Sequence, residues 1–575
     1  MCKERTIFAQ KFCYCAMDSQ PNFNRFIEQS IINNWDKDAL TDYKGATLQF
    51  HDVARKIEKL HILFENSGLH KGDKIAICGR NSSHWAVAFL ATLTYGAVAV
   101  PIQNEFKPEQ IHNIVNHSES RFLFVGDVVA KEIDAEEMPS LEGILYLPDF
   151  SIVLSRSEKF TFAREHLNEI FGKRYPKYFR QEHIHYHQDQ PEELALINYT
   201  SGTTGFSKGV MLPYRALTGN YLFLEEVIGS KIPKHCNVLA ILTMAHMYGM
   251  MCELILEFCL GNHTYFLTRL PSPTLIQQAF AEIHPAMIFS VPLVVEKIIR
   301  KNVFPKIQSN IYKLLMTMPV INKKVKQRIL DIVQAEFGGT MYQVAVGGAG
   351  LNKEIEDFLI NIGFPITMVY GTTETAPLIT YVDWHDFIPR SCGKPVKFMD
   401  VKITSNDPET VPGEIITQGQ NVMLGYYKNQ EATDAVIDKN GWFHTGDLAT
   451  MSKDGHIFIR GRIKNMLLGA NGQNVFPEEI ENKLNSMTLV NESLVIQKGE
   501  KIIALVHPDY EEVESLNFSE DDLKQVMEQN RNELNAVLPK YASLSAIQIQ
   551  KEEFAKTPKK SIKRYLYQNT IQQNN

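Results

Sequence analysis

The run Tyr199-Thr-Ser-Gly-Thr-Thr-Gly-Phe-Ser-Lys-Gly209 carries three glycines, five serine or threonine hydroxyls and one lysine. It lies between Leu194-Ala-Leu-Ile-Asn-Tyr-Thr200 and Gly209-Val-Met-Leu212, both of which read as strands. A loop of this composition held between two strands offers backbone N–H groups, hydroxyl donors and one cation. That set is what a polyphosphate requires of a protein. The spacing is not that of a Walker loop, because Phe206 and Ser207 separate Gly205 from Lys208. Gly205-Phe-Ser-Lys-Gly209 also fits G-x-S-x-G, the elbow of serine hydrolases, which needs a helix directly after the serine. The Val/Met/Leu run and Pro213 that follow suit a strand better, and no His-Gly-Gly-Gly segment lies upstream. A serine hydrolase stands as an alternative of a different class.

A chain of 575 residues exceeds a single core, so two to four domains are expected. With 44% hydrophobic and 22% charged residues its composition is that of a soluble globular protein. The net charge of −7 argues against nucleic acid as a partner, since binding a phosphate backbone needs a basic surface. The cysteines at 2, 13, 15, 78, 236, 252, 259 and 392 form no C-x-x-C pair. Reduced thiols and a cytoplasmic location are therefore expected. The N-terminus shows no apolar segment of the secretory kind. Trp85 to Ile102 is uncharged and near the length of a membrane span. Gly96, Pro101 and a change from helical to strand periodicity make it a buried helix, turn and strand instead. His183, His185 and His187 alternate, which would place them on one side of a strand, but no carboxylate or cysteine partner is evident in their pattern. A solvated face is expected there.

Strand and helix patterns alternate through the first 400 residues, which predicts layered α/β sheets with parallel strands. Lys74–Cys78 and Gly96–Pro101 read as buried strands, and residues 130–190 as charged surface elaboration. Val401 to Gly425, with Pro412-Gly413, predicts a small β-rich subdomain. The polar stretch Gly461-Arg-Ile-Lys-Asn465 follows a strand at Gly455–Ile459 and makes a linker. The expected organisation is a large N-terminal domain over 1–463 and a smaller mobile α+β lid over 464–575. The lid would hold a Gly-rich loop, an amphipathic helix from Pro477 to Leu484, strands and a basic tail.

Further segments follow the loop in order: Ala245-His-Met-Tyr-Gly249, Gly347-Gly-Ala-Gly-Leu351, Val369-Tyr-Gly-Thr-Thr-Glu374, Gly441-Trp-Phe-His-Thr-Gly-Asp447, Arg462 with Lys464, and Gly472-Gln-Asn-Val-Phe-Pro-Glu-Glu-Ile-Glu481. From about Thr47 to the end the chain resembles the adenylate-forming (AMP-binding) superfamily. That superfamily holds acyl-CoA synthetases, peptide-synthetase adenylation domains and beetle luciferase, and the pattern is most similar to its fatty-acyl-CoA synthetase branch. The resemblance implies that Thr200, Ser201, Gly202, Thr203, Thr204, Gly205 and Lys208 hold the phosphates of ATP. It implies that Thr200 and Glu374 bind Mg²⁺, and that Tyr370, with Gly371, Thr372 and Thr373, lies against adenine. Gly348 and Ala349 would flank adenine and the acyl chain. Asp447 would accept hydrogen bonds from the ribose diol, with Arg462 beside it, and Lys464 would be the hinge of the lid. His246 would lie beside the substrate carboxylate, although Thr243 stands where the family usually has proline. The Gly472–Glu481 segment would swing in for the thioester step.

One position departs from the family. Its C-terminal T-x-x-G-K lysine aligns with Ser561, which carries no charge. Lys560 is the expected substitute, ahead of Lys563. The implied activity is ATP-dependent activation of a medium- or long-chain fatty acid to an acyl adenylate, then transfer to the thiol of CoA. Gly371, where acetate-activating relatives carry a large aromatic, is the basis for a deep acyl pocket. Aryl acids, an acyl-carrier protein as acceptor, and peripheral membrane contact remain open. So does an acyl- or nucleotide-binding protein with weak adenylation, because of Ser561.

Overall fold

The computed structural model describes residues 22–200, 208–269, 272–307, 319–339, 341–468, 473–499, 501–556 and 562–568. An eight-stranded sheet organises the first half. Its order is Gly425–Tyr426, Lys208–Pro213, Leu194–Thr200, Val98–Ile102, Lys74–Cys78, Ser120–Val125, Gly143–Tyr146 and Ile152–Ser155. The five strands from Leu194–Thr200 to Gly143–Tyr146 run parallel. Ile75, Ala76, Ile77 and Cys78 are all buried, as are all residues of Val98–Ile102. Strands covered on both faces need such unbroken apolar runs. The outer strands are antiparallel, so the hydroxyl-rich loop connects two neighbours in a hairpin.

The uncharged run resolves into helix Ser83–Tyr95 and strand Val98–Ile102. Ser82 Oγ accepts the Trp85 N–H at the helix start, and Gly96 ends the helix with φ 86°. A methyl group at Gly96 would also lie 2.8 Å from the His187 ring, so both the turn and the packing require glycine. Among the described residues, no helix is long and apolar enough to cross a membrane.

Four smaller sheets complete the N-terminal region, one of them ordered Asn237–Ala240, His263–Phe266, Asp38–Asp42 and Thr47–Gln49. Another is wholly parallel: Met287–Ser290, Gln343–Val346 and Ile366–Met368. It runs directly into an antiparallel sheet of Tyr370–Gly371, Leu378–Tyr381 and Lys394–Pro395. The β-rich unit is an antiparallel sheet of Met399–Thr404, Gly413–Gly419, Phe443–Met451 and Ile457–Arg462. The stretch read as ending at Gly425 leaves that unit early. Gly425–Tyr426 crosses to the edge of the large sheet, against Val210 and Met211.

Two sequence expectations are corrected. Residues 130–190 are core as well as surface: two of their strands extend the large sheet, and Phe160, Ala163, Phe179, Ile184 and Tyr186 are buried in the main hydrophobic cluster. Phe160 stacks on Phe122 at 4.8 Å. Short helices spread these apolar residues among charged ones, which hides their common face. The three histidines share no strand. His183 ends a 3₁₀ turn, and His187 is held between Lys71 and Glu193. No cluster of three or more potential His, Cys, Asp or Glu ligands occurs among the described residues.

Beyond residue 466 the chain builds cores of its own. Ile480, Leu484, Val495, Ala504, Val506, Met527 and Leu534 pack together on a sheet of Val490–Lys498, Lys501–Pro508 and Ala546–Ile549. Helix Pro477–Leu484 falls where its pattern predicts.

Candidate active site

Thr200 and Lys208 pair as the last rung before the hairpin loop. Ser201, Gly202, Thr203, Thr204 and Gly205 lie outside the described residues. The residues after the loop form strand Lys208–Pro213, not a helix. The hydrolase elbow is therefore ruled out by local structure.

Lys208 and Glu374 meet on one aromatic ring. Lys208 Nζ sits over the ring of Tyr426, 4.6 Å from its centre. The Tyr426 hydroxyl donates to Glu374 Oε1 at 2.9 Å. Glu374 is in the 3₁₀ turn Thr373–Thr375, whose start is fixed by the Thr372 N–H bonding to Thr375 Oγ1 and the Pro377 carbonyl. The Glu374 carbonyl accepts the Met423 N–H at 2.8 Å. The same turn is thus tied to the strand carrying Tyr426.

The other end of that segment reaches a second cluster. The Tyr370 hydroxyl donates to Asp447 Oδ2 at 2.8 Å, and Arg462 Nε binds Asp447 Oδ1 at 2.8 Å. Asp447 and Arg462 are cross-strand partners, so sheet register places them together. Burial raises the Asp447 carboxyl above the usual range, opposed by the Arg462 charge and the Tyr370 bond. Asp447 in turn holds Arg462 above its ordinary value. Arg462 remains 64% exposed at its side chain and Asp447 only 5%. A ligand therefore meets the guanidinium at the surface and the carboxylate behind it.

His246 is half-buried and starts the short helix Met247–Gly249, its Nδ1 accepting the Tyr248 N–H at 3.3 Å. Asn198, two residues before Thr200, donates from Nδ2 to the Ala245 carbonyl at 2.9 Å and ties this turn to the loop strand. The Tyr248 hydroxyl donates to the Ala345 carbonyl at 3.0 Å, where strand Gln343–Val346 leads into Gly347-Gly348-Ala349. A methyl group at Gly347 would lie 2.8 Å from Val369 and 3.1 Å from the Tyr248 ring. Among the described residues a methyl group at Gly348 would have Val291 alone within 4 Å, at 3.9 Å, and both Gly348 and Ala349 are exposed. That strand end is open to a ligand.

Gly371 requires a correction. A methyl group there would lie 1.8 Å from the Pro377 carbonyl oxygen and 3.1 Å from Leu378 Cα. Backbone packing of the hairpin demands glycine at 371, so its missing side chain is no measure of pocket depth.

The C-terminal residues approach the Asp447 cluster. Ile463–Asn465 is a single 3₁₀ turn with Lys464 exposed. Asn465 Nδ2 donates to Glu478 Oε1 at 2.6 Å, and Arg460 lies 3.8 Å from Glu479. Asn352 Nδ2 donates to Ser486 Oγ at 2.8 Å, and Arg564 pairs with Glu481. Lys560 and Ser561 lie outside the described residues.

The residues present fit a Mg²⁺ ion. Among the described residues no protein group bonds Glu374 Oε2, and Thr200 adds a hydroxyl oxygen. Magnesium takes hard oxygen ligands, commonly one or two carboxylates with substrate phosphates. Sequence reasoning missed Tyr426 and Asn198. Neither residue type marks itself as functional, and Tyr426 joins the site only through a strand crossing between sheets.

Layered α/β sheets thus bring the loop strand, the Tyr370–Thr375 segment and the Asp447–Arg462 pair together. The sequence profile described as AMP-binding enzyme matches residues 27–427. The chain belongs to the AMP-binding enzyme family. It is similar to a long-chain-fatty-acid–CoA ligase (ACSBG2) of Gallus gallus, 26% identical over 464 residues, 75% of this chain and 59% of that enzyme's length. A long-chain-fatty-acid–CoA ligase of Escherichia coli O6:H1 is 26% identical over 79% of each chain. Luciferin 4-monooxygenase of Photinus pyralis is 27% identical over 72% of this chain and 70% of its own. The fold matches the anthranilate CoA ligase AuaEII with a TM-score of 0.75 at 18% identity, covering 95% of this chain and 96% of that one. ATP-bound MatB from Rhodopseudomonas palustris matches with a TM-score of 0.73 at 20% identity, covering 96% and 99%.

Proposed function

We propose that this chain uses ATP to convert a carboxylic acid to an acyl adenylate with release of pyrophosphate, then transfers the acyl group to the thiol of CoA with release of AMP. The observation that carries the reading is the segment Tyr370–Thr375. Tyr370 at one end bonds Asp447, which pairs with Arg462, and Glu374 at the other bonds Tyr426, whose ring carries Lys208. A nucleotide lying along it would set its ribose at the first pair and its phosphates at the second.

A carboxylate oxygen attacking the α-phosphate expels pyrophosphate, and the adenylate then offers AMP as a leaving group to a thiol. The protein's part is positioning and charge stabilisation. Lys208 and residues 200–205 hold the β- and γ-phosphates. Asp447 accepts from the ribose hydroxyls, Arg462 supports it, and Tyr370 with residues 371–373 lines the adenine. His246 orients the acid, and Gly348 and Ala349 let it approach the backbone. Glu374 and Thr200 would hold Mg²⁺, which supplies positive charge against the α-phosphate. Residues 464–575 act as the lid with its hinge at Lys464, and Lys560 serves the first step in place of Ser561.

For the acid we favour a medium- or long-chain fatty acid, because relatives matching over three-quarters or more of this chain are named for long-chain fatty acids. An aryl acid is the competing reading, since AuaEII is an anthranilate ligase. AMP release measured over C2 to C18 acids and benzoates, with CoA or acyl-carrier protein, decides between them. Highest kcat/KM on a C8–C18 acid with CoA is expected. Highest kcat/KM on benzoates or acetate would overturn the fatty-acid assignment.

A further inference from the structure

We propose that Tyr426 is a positioning residue that keeps Glu374 and Lys208 apart and individually available, one for the metal ion and the other for the polyphosphate. The inference rests on the function proposed above and adds a residue to that site.

A glutamate and a lysine lining one phosphate site have an obvious alternative, which is to neutralise each other. Here a single side chain stands between them. Its hydroxyl donates to Glu374 Oε1 at 2.9 Å, and its ring face carries Lys208 Nζ at 4.6 Å. A hydrogen bond to one carboxylate oxygen fixes the carboxylate plane and leaves the other oxygen to a hard cation. A ring face attracts an ammonium without using any of its three N–H donors, so those remain for phosphate oxygens.

The placement of Tyr426 is over-determined. Its residue pairs with Val210 in the sheet, and its N–H donates to Thr433 Oγ1 at 2.9 Å. The flanking N–H groups of Leu424 and Tyr427 bond the carbonyls of Met211 and Gly209. The Met423 N–H bonds the Glu374 carbonyl. The tyrosine is 7% exposed. Strand Gly425–Tyr426 therefore clamps the loop strand and the metal-site turn in one register.

The test uses Mn²⁺ as a probe for the metal site, followed by electron paramagnetic resonance in the presence of α,β-methylene-ATP. Tyr426→Phe keeps the ring and removes the hydroxyl, and Tyr426→Leu removes both. Tyr426→Phe is expected to weaken Mn²⁺ binding about tenfold with little change in the KM for ATP. Tyr426→Leu is expected to raise that KM as well. In a Glu374→Gln background Tyr426→Phe should have no further effect on Mn²⁺, an outcome that loss of folding does not mimic. Unchanged Mn²⁺ affinity in Tyr426→Phe, with the wild type binding Mn²⁺ and nucleotide together, would overturn this inference alone. A wild type that binds neither would overturn the proposed function with it.

Discussion

Asp447 takes Tyr370 on one oxygen and Arg462 on the other. Replacing it with alanine removes a buried acceptor and frees a guanidinium. An Asp447→Ala variant is expected to lose about 10- to 100-fold in kcat/KM for ATP, the range for hydrogen bonds to a charged group. Steady-state kinetics at saturating acid measure it, and an unchanged value would remove Asp447 from nucleotide binding. Glu257 tests a different property. It is fully buried and hydrogen-bonded by Asn262, and among the described residues its Oε1 has no partner. Burial raises its carboxyl to about 7. A folded-state value above the unfolded one means stability that is full below about pH 4.5 and is lost as pH rises through about 7. Glu257→Gln removes that loss. Between pH 5 and pH 8 the variant should gain roughly 3 kcal/mol on the wild type, read by urea unfolding at both values. An equal difference at the two pH values would show that Glu257 does not titrate there.

Elements differ in how openly the chain announces them. The loop strands, helix Ser83–Tyr95 and helix Pro477–Leu484 were legible because period, length and capping agree. Asp447 and Arg462 could be named from motif order, but their contact depends on cross-strand register that no local pattern encodes. Gly371 was legible as an invitation to a ligand and is a steric requirement of its hairpin. That difference is testable. Gly371→Ala should destabilise the protein by about 1–3 kcal/mol, as overpacking does, and leave the order of preference among acids unchanged. A stable variant whose preference moves to shorter acids would restore Gly371 to the pocket. Tyr426 was illegible for the opposite reason, since a two-residue strand that changes sheets leaves no periodic trace.

At the scale of the molecule, the proposed function asks one site to serve two chemical steps, and the C-terminal unit meets the N-terminal region through Ser486 on Asn352 and Glu479 beside Arg460. The connection runs through the exposed turn at Lys464. Proline there fixes φ at 464 and restricts Ile463. If this turn is the hinge, Lys464→Pro should change the ratio of adenylation to thioester rates by about tenfold or more, as read by pyrophosphate exchange and single-turnover thioester formation. Equal losses in both would place the hinge elsewhere. The central claim, that the acid's own oxygen attacks the α-phosphate at this site, is tested most directly with an ¹⁸O-labelled carboxylic acid, ATP and CoA, followed by mass spectrometry of the products. The account predicts one ¹⁸O in AMP and none in pyrophosphate, and label in a phosphate released alongside ADP, or in no nucleotide product, would contradict it.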